Sequence, residues 1–165
     1  SIVTFALAQG ITIRVGHSDG RNDQKAVHYA TYIGIFYASA FMLLTAILYW
    51  VFPEKLISID FDLHDAKNAV IIHLAKQLLA LAALVQLFEA PRFALFGALR
   101  GLKDTRFTLF TSILIFWIIA LPLGYIAVPY GFAAYGIWWA TILAEIIGIF
   151  LLIWQYRRKV QTYLF

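Results

Sequence analysis

Cysteine is absent from the sequence, which rules out a disulfide framework and any cysteine-ligated metal site. Charge is scarce. Asp, Glu, Lys and Arg make up 13% of the 165 residues, against about 25% in a soluble domain. The signatures of common enzymes are also missing: there is no His-Glu-x-x-His, no Gly-x-Ser-x-Gly and no glycine-rich phosphate loop. No catalytic residue is assigned, an enzyme is not expected, and nothing supports ATP as an energy source. The histidines His17, His28, His64 and His73 fall in loops or near interfaces and never pair at metal-ligand spacing, so no metal site and no cofactor is expected. The start, Ser1-Ile-Val-Thr4, has no basic segment of the kind that opens a secretory signal. It lies inside an apolar run, as the start of a fragment would.

What the chain has in excess is apolar surface. Hydrophobic residues make up 62% of it, where a soluble domain has about 45–50%. Uncharged runs long enough to cross a bilayer recur along its length. The expectation is an all-α membrane protein, a single transmembrane helix bundle over residues 1–165. Its spans should cover about 1–15 (partial), 27–52, 74–99, 107–128 and 134–154. His17 to Lys25 reads as a polar loop, and Glu54 to Lys67 as an acidic one containing Asp60, Asp62 and Asp65. Tyr49, Trp50, Tyr125, Tyr130, Trp138 and Trp139 read as interfacial anchors, and Lys76 can extend its ammonium to the interface.

The +4 net charge is no sign of a nucleic-acid partner, because its distribution follows topology. Arg14, Arg21, Lys25, Arg100, Lys103, Arg106, Arg157, Arg158 and Lys159 fall on one side, with Lys55 and Lys67 on the other. The positive-inside rule puts the first group, and the C-terminus with it, in the cytoplasm of a multi-pass inner-membrane protein.

The central span holds the chemistry. Glu89 lies near its middle, followed by Pro91 and Arg92. A charge at a helix centre costs from about 2.5 kcal/mol upward, so such an acid is expected to face water, a partner or an ion. Pro91 lacks the N–H that would bond the Leu87 carbonyl, so a kink or local unwinding is expected there. Glu89 and the freed carbonyl would together suit a proton, a hydronium or a small cation. The alternative is a structural pair of Glu89 with Arg92, one turn away. Gln86, on the same face, would bond the carboxylate, contact substrate or join two helices. Glu145 is a second intramembrane acid, either a proton carrier or a partner for Arg92 or Lys76. Pro122 marks a second kink, and Trp117 one turn earlier is a candidate contact for lipophilic cations.

Several segments together resemble the multidrug and toxic compound extrusion (MATE) family. They are Ile13-Arg-Val-Gly16 closing a helix, Leu99-Arg-Gly-Leu-Lys-Asp-Thr-Arg106, and Trp117 through Leu121-Pro-Leu-Gly-Tyr125, followed by Gly136-Ile-Trp138. Their order resembles that of the C-terminal lobe, from the end of the eighth helix through the twelfth. The resemblance implies two six-helix lobes in a whole protein and export of small cationic or amphipathic compounds against a proton or sodium flow. This chain would need the missing N-terminal lobe, in the same or a separate chain. Gln86-Leu-Phe-Glu-Ala90 is similar to the acid-bearing pattern of the NorM-like branch, which implies ion coupling for Glu89 with Gln86 beside it. The branch has an aromatic hydroxyl where Val85 stands and a neutral amide where Arg92 stands. A guanidinium there would compete with sodium, which favours protons. Arg14, Gly16, Arg100 and Gly101 match the family's loop motifs, and read as anchors to lipid phosphates and helix ends. Two other readings stay open: a non-transporting membrane subunit that needs a partner lobe, and a lipid or oligosaccharide flippase of related architecture.

Overall fold

In the computed structural model the described residues are 2–58, 69–127, 129 and 133–162. They are helical almost throughout. The helices are α1 (Ile2–Gly20), α2 (Gln24–Val51), the short α3 (Pro53–Ile57), α4 (Ala69–Gly101), α5 (Thr105–Ala127) and α6 (Ala133–Thr162). Four of them, α2, α4, α5 and α6, are long and apolar enough to cross a membrane. This agrees with the all-α membrane architecture that composition implies. Asp60, Asp62, His64, Asp65, Lys67 and Tyr130 lie outside the described residues.

The helices run past their apolar cores into polar sequence. α1 continues to Gly20, so the expected loop from His17 shrinks to a turn over residues 21–23. The acidic loop likewise gives up its first residues to α3. Pro53 closes α2 and sits in the first turn of α3, where its missing N–H has no helical partner to lose. Lys76 of α4 then reaches Glu54 at 2.7 Å, and this contact holds the Glu54 carboxyl below its usual range.

The α1–α2 and α4–α5 turns are built alike. At the end of α1, Asp23 N–H donates to the Ser18 carbonyl and Asn22 N–H to Asp19. At the end of α4, Asp104 N–H donates to Leu99 and Lys103 N–H to Arg100. Both are double closures in which the residue past the helix turns left-handed, Asn22 at φ 53° and Lys103 at φ 61°. In each the next residue is an aspartate that caps the following helix: Asp23 accepts from Ala26 N–H, and Asp104 from Phe107 N–H. Asp104 also accepts from Gln155 Nε2 at 2.6 Å, which ties this turn to α6.

α4 is the centre of the bundle and packs against α1, α2, α3, α5 and α6. Its buried face is a ladder of small residues, Ala90, Ala94 and Ala98, flanked by Leu95 and Leu99. Ile11 and Val15 of α1, Val27, Ala38 and Met42 of α2, and Leu152, Tyr156 and Val160 of α6 close on it. In lipid, where apolar contact alone gives little drive for association, small residues let helix backbones approach. Gly97 and Gly101 show how closely. A Cβ on Gly97 would run into the backbone of Ala8, and one on Gly101 would meet the Thr12 oxygen and Val15 Cβ at 2.8 Å. Gly16 faces Gly101 across the same crossing. Gly16 and Gly101 are therefore packing residues of the α1–α4 contact as well as neighbours of the basic loops.

Candidate functional site

The buried charges of α4 and α6 meet in one place. Arg92 and Glu145 are among the few buried polar residues, 3% and 2% exposed. Arg92 Nε donates to Glu145 Oε2 in a buried ion pair that links the two helices. Among the described residues no ion pair joins Arg92 to Glu89, so the one-turn pair that spacing alone allows is not formed. Lys76 is likewise not the partner of Glu145, since it binds Glu54.

Three neighbours build the seat of the guanidinium. Phe93, next along α4, has its ring centroid 4.6 Å from the Arg92 guanidinium carbon. Phe116 of α5 lies at 5.3 Å. Aromatic faces attract a cation, and more strongly when water is excluded. Gly148 lies three residues after Glu145, on the same face of α6. A Cβ there would collide with Ile115 and stand 3.2 Å from Arg92 Cδ, so its hydrogen side chain leaves room for both.

Phe116 and Ile115 reach the pair from an unusual stretch of α5. Residues Leu114–Ala120 are wound as a π-helix, and the Leu121 N–H donates to the Phe116 carbonyl five residues back. Pro122 follows. In an α-helix its ring would press on the Ile118 carbonyl, and the wider winding relieves that contact. The irregularity expected of prolines thus falls before Pro122. Around Pro91 α4 stays α-helical from Ala69 to Gly101, so of the kink or local unwinding expected there the helix shows no break in its winding. Trp117 is 70% exposed.

Glu89 is half-buried one turn before Arg92 and lies within electrostatic reach of Glu145. One turn further back, Gln86 Oε1 is buried and has no hydrogen-bond partner. A buried acceptor left unmade costs about 1–3 kcal/mol, so this oxygen marks a place where a donor or cation is wanted. Gln86, Glu89, Arg92 and Glu145 therefore form one cluster: two acids, one base and one orphan oxygen.

The other site residues are elsewhere. Arg14 lines an open groove between α1 and α2 of about 810 Å³, with His17, Tyr29 and Tyr37. Arg100 stacks on Phe96 at 5.7 Å, at the end of α4. Trp50 donates its indole N–H to the Ala80 carbonyl at 3.3 Å and so ties α2 to α4.

Sequence reading passed over Gly97, Thr12, Phe116 and Gly148. For Gly97 a signal was present: Gly97 and Gly101 form a Gly-x-x-x-Gly pair, the pattern of close helix crossings in lipid. For Phe116 and Gly148 no local pattern distinguishes them from lipid-facing neighbours.

The MatE family model matches residues 1–126. The chain belongs to the MatE family. Curated relatives of this MatE chain carry names of multidrug resistance proteins. A probable multidrug resistance protein NorM from Brucella suis is 37% identical over 138 residues, 83% of this chain and 29% of that protein. The multidrug resistance protein NorM of Burkholderia vietnamiensis is 30% identical over 162 residues, covering 98% of this chain and 35% of the relative. A probable NorM from Bacillus anthracis is 38% identical, with 96% and 35% covered. The chain therefore spans about a third of the length of the curated relatives it matches. Among solved structures, the eukaryotic MATE transporter AtDTX14 shares the fold at a TM-score of 0.76 over 98% of this chain and 36% of that one, at 15% identity.

Proposed function

We propose that this chain is part of a secondary antiporter that exports organic cations or drugs in exchange for protons, with Glu89 as the ion-coupling carboxylate. The observation that carries the reading is the cluster around Glu89: a half-buried acid in the middle of a membrane span, one turn from an unpartnered buried oxygen and one turn from a buried arginine already held by another acid. Such groups are costly in a bilayer and mark ion pathways in transport proteins. The relatives' names, multidrug resistance proteins, support drug export.

In this reading a proton binds the Glu89 carboxylate. The neutral carboxyl then has an O–H to offer, and the Gln86 oxygen is the acceptor one turn away. An ionised Glu89 has no such proton to give, so the protonated state alone satisfies Gln86 from within the chain. Trp117 is the proposed aromatic contact for cationic substrate. The chain takes the place of part of a C-terminal lobe and works with an N-terminal lobe in the same or a separate chain. Its basic end, with the C-terminus, faces the cytoplasm of the inner membrane.

The test uses a full-length transporter that contains this segment, reconstituted with a cationic dye. Glu89→Gln should abolish proton-driven efflux while expression and membrane insertion stay normal. Undiminished efflux by that variant would overturn the reading.

A further inference from the structure

We propose that Arg92, held in place by Glu145, is the ion-selectivity residue of the Glu89 site: a built-in cation that admits a proton and turns sodium away. This rests on the reading of Glu89 as the coupling carboxylate, and adds two residues to it. Glu89 and Glu145 bring two negative charges and Arg92 one positive charge to one stretch of the α4–α6 contact. With both acids ionised the cluster carries one surplus negative charge, and one proton on Glu89 cancels it. Lys76 at the far end of α4 is engaged with Glu54. Between residues 29 and 51 of α2 and between 107 and 127 of α5 the sequence has no Asp, Glu, Lys or Arg, so neither helix brings another charge of that kind to this depth.

A metal cation and a proton read this arrangement differently. Sodium needs several oxygen ligands around it and is repelled by the nearby guanidinium, whose charge Glu145 offsets only in part. A proton forms an O–H bond to one carboxylate oxygen and needs only a single acceptor, which Gln86 Oε1 supplies. The selectivity depends on Arg92 staying where it is. Glu145 grips its Nε, Phe93 and Phe116 cover its faces, and Gly148 leaves the space its stem occupies. Glu145 is in this sense a positioning residue. Without it, the nearest acid along α4 is Glu89, one turn before Arg92, and a guanidinium bound there would occupy the coupling acid.

The experiment follows dye efflux by the full-length transporter in proteoliposomes, with and without a sodium gradient. Glu145→Gln should depress proton-driven efflux by at least about tenfold, because the released Arg92 charge is then opposed only by Glu89. The double variant R92Q/E145Q should recover efflux and become sodium-responsive, with a half-effect sodium concentration at least about tenfold below that of the parent. A second double variant, Arg92→Met with Glu145→Leu, makes the same charge change with apolar packing. Whichever of the two retains the parent's elution profile and dye binding is scored. A purely structural pair would leave sodium response unchanged in both, and that result overturns the inference while the Glu89 reading stands. Efflux that survives Glu89→Gln would instead remove the reading on which it rests.

Discussion

Helix α4 meets α1 and α6 by opposite means. On the α1 side the contact is one of shape: Gly97 and Gly101 let the backbones touch, and the Thr12 hydroxyl sits 2.9 Å from the Gly97 carbonyl it donates to. On the α6 side it is one of charge, with Arg92 and Glu145 paired beneath aromatic rings. The first has one good geometry, since no side chain can move aside to make another. The second depends on protonation and on ions, and its arginine has a second acid one turn away. A transporter needs both kinds of joint, a fixed one to carry force and a chemically addressable one to receive the ion. In the proposed antiporter, α1–α4 takes the first role and α4–α6 the second.

The sharpest way to break this contrast is to remove one charge. Arg92→Leu leaves Glu145 buried without its partner and should cost about 3–5 kcal/mol of stability. Thermal unfolding of the purified protein in detergent measures it. Adding Glu145→Leu should return most of that loss, since an apolar pair of similar volume is often neutral or better. Equal destabilisation by the single and double variants would mean that the two residues do not act as a pair. On the other side of α4, Gly97→Ala places a Cβ against the Ala8 backbone, which cannot rotate away. About 1–3 kcal/mol is expected, and no second substitution on α1 should restore it. A rescue by truncating a side chain of α1 would show that this joint is adjustable too. Smallest is Thr12→Val, which deletes the hydroxyl and keeps the volume. Intramembrane hydrogen bonds of this sort average about 0.6 kcal/mol, so the unfolding midpoint should move only slightly. A loss as large as that of Gly97→Ala would shift the weight of the α1–α4 joint from shape to hydrogen bonding.

Much of the architecture was open to reading from the residues alone. Uncharged runs between Tyr29 and Phe52, and between Phe107 and Val128, have the length of a membrane helix, about twice that of a barrel strand, and a helix satisfies each backbone polar group within its own segment. The helix ends were harder. α1 runs through His17, Ser18 and Asp19 because the stop signal is Asn22 turning left-handed, a three-dimensional closure with no apolar periodicity to announce it. Pro91 and Pro122 looked equivalent in sequence. Only one is preceded by a π-helix. At the site, Glu89, Gln86, Arg92 and Glu145 were each conspicuous as polar groups in apolar runs. What spacing could not give was the pairing. Local geometry offered Glu89 to Arg92, whereas the fold supplied Glu145 from another helix and the aromatic cover from a third.

The Arg92–Glu145 pair joins residues 53 positions apart, which bears on how the chain enters the membrane. α4 leaves the ribosome well before Glu145 has been translated, so its arginine reaches the bilayer with the partner still unmade. A lone guanidinium at that depth is poorly tolerated. Arg92 therefore enters the bilayer ahead of its partner, and the pair is completed only when α6 follows. Assembly of this bundle is then an ordered event in which a later helix secures one inserted earlier.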